Sequence, residues 1–311
     1  MARIICGVDV SSETFDGRIG RDGPMIKAAR TAKGIAQLRA FCAEHGAELV
    51  VMEATGGYER LLFKQLWEAG QPCAIVNPRQ VRRFAEAMGY LEKTDKLDTG
   101  VIAEFAEAKR ILAQEPPTAS QQHLRALVTR LRQLTQLKVA QSNQRRLVED
   151  ETVLASIDQL MALLRQQIRH LEVSIVELLQ GDPVWQALDS AFRQIKGVAD
   201  RTVATLAAEM PEIGTYSNKA VAKLAGLAPM AKDSGKRHAK RSIRGGRSQV
   251  RSILVIVAAV VARHDPALSA FHKRLTQAGK PKMAVRVAVA HKLLVHLNAK
   301  ARDARAILAA A

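Results

Sequence analysis

Short apolar runs alternate with amphipathic segments over the first 115 residues of the chain. The apolar runs predict five strands, and the segments with an apolar residue every three or four positions predict four helices. Strands are expected at residues 3–10, 15–20, 25–29, 48–52 and 72–75, and helices at 35–44, 59–68, 79–88 and 99–109. Neighbouring hairpin strands followed by strand–helix crossovers indicate an α/β domain over residues 1–115.

The pattern changes after Pro116 and Pro117, where the β character is lost. Residues 120–180 carry apolar side chains at heptad spacing and predict two long helices. The heptad positions are Leu124, Leu127, Leu131 and Leu134, and then Ile157, Leu160, Leu164, Leu171 and Leu178. A polar stretch at 141–146 interrupts the first apolar seam, so the pattern fits both an intramolecular hairpin and pairing across a dimer. We predict a helical coiled-coil connector over residues 116–190.

Residues 191–311 are again helical, and they hold the whole positive excess of the chain. The sequence has 47 Lys and Arg against 30 Asp and Glu, a net charge of +17. Both signs are equally frequent in residues 1–115 and in 116–190, whereas 191–311 contain 23 basic and 6 acidic residues. A merely solubilising surface would spread the excess evenly. Its concentration predicts that the last segment binds a polyanion such as nucleic acid.

Cysteine usage and hydropathy bear on the compartment. Cys6, Cys42 and Cys73 have no metal-ligand spacing and no disulfide pattern, so we expect reduced thiols. The amino terminus leads directly into the first predicted strand without a signal pattern. The longest apolar run, at 253–262, is too short to span a bilayer and predicts a buried helix. We expect a cytoplasmic protein that associates with the nucleoid when active.

Four carboxylates at three places form a candidate metal site. Asp9 and Glu53 lie in apolar strands, where a charge needs a partner. Asp95 and Asp98 open a predicted helix, and residues three apart share a helix face. Either one alone also fits a role in capping that helix or complementing its dipole. As a set, the four acids offer the oxygen ligands of Mg²⁺, and two ions about 3.5–4 Å apart would stabilise the attacking and leaving oxygens of a phosphoryl transfer.

The densest run of small, basic and hydroxyl residues lies between Pro229 and Val250. Lys and Arg neutralise phosphates, and glycines allow the backbone to approach a ligand closely. The candidate phosphate contacts are Lys236, Arg237, Lys240, Arg241, Arg244, Arg247 and Arg251. The alternative is a basic loop with nonspecific affinity. His238 fits either a proton carrier or a solvated residue that contacts a phosphate.

A glycine turn at 194–200, followed by a predicted helix, is similar to a helix-hairpin-helix. In that motif, amides of the turn and of the next helix bind a phosphate. Ala199 stands where the second glycine is usual, so phosphate binding and plain helix packing both stay open.

The order and separation of these motifs resemble the DEDD transposases of bacterial insertion sequences, the Piv-like group of the insertion-sequence-110 family. The resemblance is carried by Asp9 in a strand, by Glu53-Ala54-Thr55-Gly56-Gly57-Tyr58 and by Lys93-Thr94-Asp95-Lys96-Leu97-Asp98. Towards the carboxy terminus, it is carried by Leu224-Ala225-Gly226-Leu227-Ala228-Pro229, Asp233-Ser234-Gly235, Gly245-Gly246-Arg247 and Arg251.

The resemblance implies an RNase H-like (RuvC-like) domain at 1–115, in which Asp9, Glu53, Asp95 and Asp98 are catalytic and hold Mg²⁺. It also implies a mainly α transposase domain at 191–311, in which Ser234 attacks DNA and forms a covalent phosphoserine. A structured noncoding bridge RNA is expected to pair with donor and target DNA. Coordinated strand exchange further implies a homo-oligomer, a dimer that pairs into a tetramer.

The sequence therefore predicts a DNA transposase or site-specific recombinase. Two rival functions remain. The first is a stand-alone Mg²⁺-dependent Holliday-junction-type resolvase that uses only the four acids, with Ser234 as a phosphate contact. The second is a noncatalytic basic protein that shapes DNA.

Overall fold

The computed structural model describes residues 3–90, 95–231, 233–234, 237–238 and 241–310, without the side chains of 95–98, 233–234 and 237–238. The chain divides into two compact units, Met1–Pro117 and Thr118–Ala311. The boundary falls at the Pro116-Pro117 break, where the sequence pattern changes.

The first unit contains one five-stranded sheet with the strand order β3-β2-β1-β4-β5. The first three strands form antiparallel hairpins, and β4 and β5 run parallel to β1. Their bounds are β1 Ile5–Val10, β2 Thr14–Ile19, β3 Met25–Ala29, β4 Leu49–Glu53 and β5 Cys73–Val76. The five predicted strands are confirmed, each to within a few residues.

Helices cover both faces of this sheet. They are α1 Ala32–Glu44, α2 Glu59–Glu68, α3 Pro78–Ala87 and α4 Asp95–Ala108. Val50 and Met52 of β4 pack with residues of α1 and α2, whereas Leu49 and Val51 pack with residues of α3 and α4. Burial on both faces explains why the parallel strands read as continuous apolar runs. The mixed α/β class predicted for this unit is confirmed.

Two of these helices begin where the sequence supplies a cap. Thr31 accepts a hydrogen bond from the Gly34 amide ahead of α1, and Asn77 accepts one from the Arg79 amide ahead of α3. The predicted start of α4 at residue 99 is wrong, since this helix begins at Asp95. Asp95 and Asp98 therefore both lie in its first turn.

The second unit begins with two long helices, α5 Ala119–Arg145 and α6 Glu151–Gln180, which pack against each other as an intramolecular hairpin. Arg145 at the end of α5 donates two hydrogen bonds to Asp158 near the start of α6, at 2.7 and 2.8 Å. The buried stripe of α6 passes through Met161, Leu164 and Ile168. Leu160 is 41% exposed, so the predicted seam through that position is wrong.

The described residues of the second unit form six further helices: α7 Pro183–Arg193, α8 Asp200–Glu209, α9 Asn218–Leu224, α10 Ser248–His264, α11 Pro266–Gln277 and α12 Lys282–Ala310. Residues of α5 and α6 share one apolar core with α7, α8, α10 and α12. The predicted connector and the predicted basic domain therefore form one compact unit, and the boundary at residue 190 stays a functional prediction.

The predicted buried helix at 253–262 lies within α10. Leu254, Val257 and Val261 are buried, whereas Ile256 and Val260 are exposed, so only one face is in the core. Within the described residues, no single helix is long and apolar enough to cross a membrane, and only the bent pair of α10 and α11, at 100°, passes that test jointly.

Two short antiparallel ladders interrupt the helices between α9 and α10. Strands β6 Pro229–Met230 and β9 Ser242–Ile243 pair with each other, and so do β7 Asp233–Ser234 and β8 Arg237–His238. The sequence pattern did not predict these strands, because two-residue strands in a basic segment show no apolar alternation.

Candidate active site

The two strand acids lie at the same edge of the first unit's sheet. Val8 of β1 is in register with Met52 of the parallel strand β4. Asp9 and Glu53 are the next residues of the two strands, so they lie side by side. Alternation along a strand places Asp9 on the face opposite to Val8 and Val10, which contact α1 and α2 residues. By the same rule, Glu53 lies opposite to Met52. Both acids therefore occupy the face that carries α3 and α4, and both are half-buried.

Helix α4 contacts this face directly through its backbone. A Cβ atom at Gly7 would lie 2.1 Å from the carbonyl oxygen of Thr99 and 2.8 Å from the amide nitrogen of Ala103. Only glycine permits this approach. Thr99 follows Asp98 directly, and Gly7 precedes Asp9 by two residues. The contact therefore lies next to Asp98 along α4 and two residues from Asp9 along β1.

The side chains of Asp95 and Asp98 lie outside the described residues, so the complete four-acid set is still a prediction. Among the described side chains, no group of three or more His, Cys, Asp or Glu is arranged to hold a metal ion. What the structure contributes is the backbone arrangement, in which Asp9 and Glu53 lie on adjacent strands and α4 packs against β1 at Gly7.

A second contact fixes α4 further along its length. Arg21 comes just after β2. Its Nε lies 3.3 Å from Glu104 Oε2, and its guanidinium carbon lies 4.2 Å from the centroid of the Tyr90 ring. A Cβ atom at Gly100 would lie 2.4 Å from the Arg21 carbonyl oxygen. Within the part of the chain that the structure describes, Arg21 Nη1 is buried without a hydrogen-bond partner, and Glu104 Oε2 makes the ion pair with Arg21 but no hydrogen bond. No pattern in the sequence predicts this contact.

The loop after Glu53 is shaped by a buried carboxylate that the sequence analysis also missed. Glu59 is 5% exposed and accepts hydrogen bonds from the amides of Thr55, at 3.0 Å, and Gly57, at 2.9 Å. Gly56 and Gly57 have φ values of 64° and 109°, in the left-handed region that favours glycine. Glu59 therefore holds the glycine turn directly behind a predicted metal ligand. The sequence signal that could have identified Glu59 is an acidic residue in the first turn of a predicted helix.

In the second unit, Ser234 lies on the short ladder opposite Arg237, and Asp233 lies opposite His238. Lys236 and Lys240 lie outside the described residues, as do the side chains of Ser234, Arg237 and His238. Arg241 and Arg244 are exposed. The serine is thus part of a hairpin segment, and two of the seven predicted phosphate contacts present accessible side chains.

At the base of this hairpin, the motif at 224–229 meets the motif at 245–247. A Cβ atom at Gly226 would lie 2.1 Å from the Gly245 carbonyl oxygen, and one at Gly246 would lie 2.2 Å from the Gly226 amide nitrogen. The Arg247 amide donates to the Leu224 carbonyl at 2.7 Å. The glycines at 226 and 246 therefore let two chain segments, some twenty residues apart, meet backbone to backbone.

Sequence comparison confirms the family resemblance of the chain. A transposase family model matches residues 6–153, and a second one, described as the transposase IS116/IS110/IS902 family, matches residues 189–273. The chain belongs to the IS110 family of transposases. It is similar to the pilin gene-inverting proteins of Moraxella lacunata and Moraxella bovis, with 26% identity over 325 residues and 98% of each chain covered. The transposase is thus an enzyme that acts on DNA, and DEDD transposases typically use a divalent metal ion.

Two of the predicted phosphate contacts of the transposase bind its own backbone and side chains. Arg247 donates to both carboxylate oxygens of Glu212 and, at 2.9 Å, to the Glu209 carbonyl. Arg251 donates to the Gly245 carbonyl. Burial alone would raise the pKa of the Glu212 carboxyl, but hydrogen bonds from Arg247 lower that pKa below its ordinary value. The same hydrogen bonds raise the pKa of Arg247.

The helix-hairpin-helix similarity of the transposase has a packing explanation. Gly197 has a φ of 101°, and a Cβ atom there would lie 3.1 Å from Val260 and 3.2 Å from Val261 of α10. Asp200 opens α8 and pairs with Arg193. Close approach of helices accounts for the glycine, and the acid at the start of α8 disfavours a phosphate there.

The three cysteines of the transposase, Cys6, Cys42 and Cys73, are free and buried. Burial raises the pKa of the Cys73 thiol to about 12. This thiol is therefore unreactive at neutral pH.

Proposed function

We propose that this transposase cuts and rejoins DNA through a covalent intermediate on Ser234, with Asp9, Glu53, Asp95 and Asp98 holding Mg²⁺ for the same reaction. The backbone contact between Gly7 of β1 and Thr99 of α4 carries the proposal. It supports the convergence of the four acids, because Thr99 directly follows Asp98, and Gly7 lies two residues before Asp9 on the strand next to the one that bears Glu53.

The proposal includes an RNase H-like fold for the first unit. Three antiparallel hairpin strands, two further strands parallel to the first, and helices on both faces support it. The donor set fits Mg²⁺, because carboxylate oxygens are the ligands that this hard cation prefers. When bound, Mg²⁺ would polarise the scissile phosphate and stabilise the charge that develops on its oxygens.

The serine chemistry would run in two steps. The Ser234 oxygen forms a bond to the scissile phosphorus while the bond from phosphorus to the leaving strand's oxygen breaks. The serine proton passes to a base, for which His238, opposite Asp233 in the ladder, is a candidate, and the leaving oxygen takes up a proton. A strand hydroxyl then attacks the phosphoserine and releases the serine, so that rejoining needs no external energy source.

DNA is the substrate, and we propose that a bridge RNA selects the sites and that the protein works as a dimer that pairs into a tetramer. The excess of basic residues in 191–311 supports a polyanionic partner, a role that both DNA and RNA fit. The relatives that are named for gene inversion support a reaction that rejoins strands. We propose that this reaction takes place in the cytoplasm at the nucleoid.

The decisive experiment looks for a protein–DNA adduct on a denaturing gel, with a labelled suicide substrate. Wild type should give an adduct that Ser234→Ala and Asp9→Asn lack, while both variants still bind DNA. Asp16→Asn is the matched control, because Asp16 lies opposite Asp9 on β2 and pairs with Lys27 at 3.6 Å. An adduct in Ser234→Ala would exclude this nucleophile. Free nicked DNA without an adduct in wild type would favour the resolvase.

A further inference from the structure

Arg30 joins the loops that follow the two strand acids. It comes directly after β3, and its Nε donates to the Ser12 carbonyl at 2.9 Å. Its Nη1 donates to the Tyr58 carbonyl at 3.4 Å, and its guanidinium carbon lies 5.1 Å from the centroid of the Tyr58 ring. Ser12 follows Asp9 by three residues, and Tyr58 follows Glu53 by five. The guanidinium is therefore held beside the edge of the sheet that carries the proposed metal ligands.

Tyr58 displays an aromatic side chain at this edge. It lies just ahead of α2 with helical backbone angles, a φ of −62° and a ψ of −30°, and among the described residues its side chain makes no capping hydrogen bond. The residue is 45% exposed. An exposed aromatic side chain beside a guanidinium, at the edge that carries the proposed metal ligands, is the arrangement on which a nucleic-acid base stacks.

Charge also favours a ligand for this pair. Residues 1–115 contain equal numbers of acidic and basic side chains, and the proposed metal ligands concentrate negative charge at this edge. A DNA strand that enters the site needs local cationic and stacking contacts. Arg30 supplies a charge-assisted donor for a phosphate, and an aromatic face stacks on a base of any identity.

We propose that Arg30 and Tyr58 bind the DNA strand next to the scissile phosphate, with Tyr58 stacked on an unpaired base and Arg30 in contact with a phosphate. This inference rests on the proposed function, since it uses the four-acid site as the place of cleavage. Strand exchange requires a strand to leave its duplex, and an unstacked base is the ligand that an exposed aromatic ring selects.

The test measures the binding of fluorescent DNA with a single-stranded overhang at the cleavage site, with Ca²⁺ in place of Mg²⁺. Tyr58→Ala should lower the affinity by about 5- to 150-fold, whereas Tyr58→Phe should keep it, because stacking needs the ring and not the hydroxyl. Arg30→Gln should reduce the slope of log affinity against log salt by about 0.7, the value for one phosphate contact of a single strand.

Arg39→Gln is the matched control. Arg39 lies on α1 of the same unit, is exposed, and also donates to one backbone carbonyl, that of Ala69 at 3.5 Å. It should leave affinity and salt slope unchanged. A 2-aminopurine next to the scissile phosphate reports stacking directly, and its fluorescence change on binding should disappear in Tyr58→Ala and persist in Tyr58→Phe.

Several results would overturn the inference. Equal affinity and an equal fluorescence change in wild type and Tyr58→Ala would show that the ring only packs on Arg30. Thermal unfolding shows whether each variant is folded. If Tyr58→Ala loses affinity only in proportion to its loss of folded protein, and Tyr58→Phe is equally impaired, stacking is also contradicted. Tyr58-dependent binding of an RNA strand but not of DNA would assign the pair to RNA instead.

The inference and the proposed function fail separately. If Ser234→Ala still forms an adduct, the nucleophile is wrong, but the Tyr58-dependent fluorescence signal is unaffected. If the adduct requires Ser234 while the Tyr58 and Arg30 variants bind DNA like wild type, only the inference is wrong.

Discussion

Arg247 donates one hydrogen bond to each carboxylate oxygen of Glu212, both at 2.5 Å. The pair lies at the base of the hairpin segment that carries Ser234, where the Arg247 amide also donates to the Leu224 carbonyl. A residue selected from sequence as a phosphate contact is thus engaged in holding two chain segments together.

Arg247→Gln should lower the free energy of unfolding of the second unit by about 1–2 kcal/mol, since the pair is about a third exposed and solvent screens it. Chemical denaturation measures this change. Arg244→Gln is the control, because Arg244 is exposed, and its stability should match wild type. Equal stabilities of the two variants would contradict the role of the Arg247 pair.

The Glu212 carboxyl should also make stability depend on pH. Its pKa in the folded protein is lowered, so its contribution is present above the ordinary carboxyl value of about 4.3 and is lost as the pH falls through the folded pKa. In Glu212→Gln, the decline in unfolding free energy below about pH 4.3 should be shallower than in wild type. Parallel curves for the two proteins would contradict the linkage.

Arg241 and Arg244 should behave as phosphate contacts. Replacing either with Gln should weaken DNA binding similarly for all sequences and reduce the log-affinity against log-salt slope by about 0.7–0.9. Binding titrations at several salt concentrations measure the slope. An unchanged slope in the double variant would place this part of the segment outside the interface.

Gly7→Ala should abolish adduct formation and cost more than about 3 kcal/mol of stability, because the new methyl group would meet the backbone of α4. Gly17→Ala on the adjacent strand β2 is the control, since a Cβ atom there meets only side-chain atoms, the nearest at 3.1 and 3.3 Å. It should be milder in both assays. Wild-type activity in Gly7→Ala would contradict the contact that carries the proposed function.

Glu59→Ala should lower both stability and recombination, because the amides of Thr55 and Gly57 lose their acceptor next to Glu53. The loss of stability should be about 1–3 kcal/mol for a buried group left unpaired. Glu68→Gln at the other end of α2 is the control, since Glu68 is exposed and pairs only with Lys64 among the described residues. A requirement for more Mg²⁺ in Glu59→Ala alone would show that the loop positions a metal ligand.

The sequence predicted the strands and helices of the first unit because apolar periodicity reports burial directly. It missed the true start of α4, since residues 95–98 are mostly polar and give no such signal. The meeting of Gly226 with Gly246, and the pairing of Arg247 with Glu212, depend on tertiary contacts across 20 and 35 residues. A basic side chain in a basic run looks like a phosphate contact until its acidic partner is located.

The buried hydrogen bonds of Asn298 on α12 can form only late in the synthesis of the chain. Its buried side chain accepts from the Gly214 amide at 2.9 Å and donates to the Tyr216 carbonyl and the Asn218 side chain. These groups emerge from the ribosome about eighty residues before Asn298 does. The first unit can fold while the second still lacks the helix that closes its core. A nascent chain would therefore have the proposed metal-binding half in place before it could present a nucleophile.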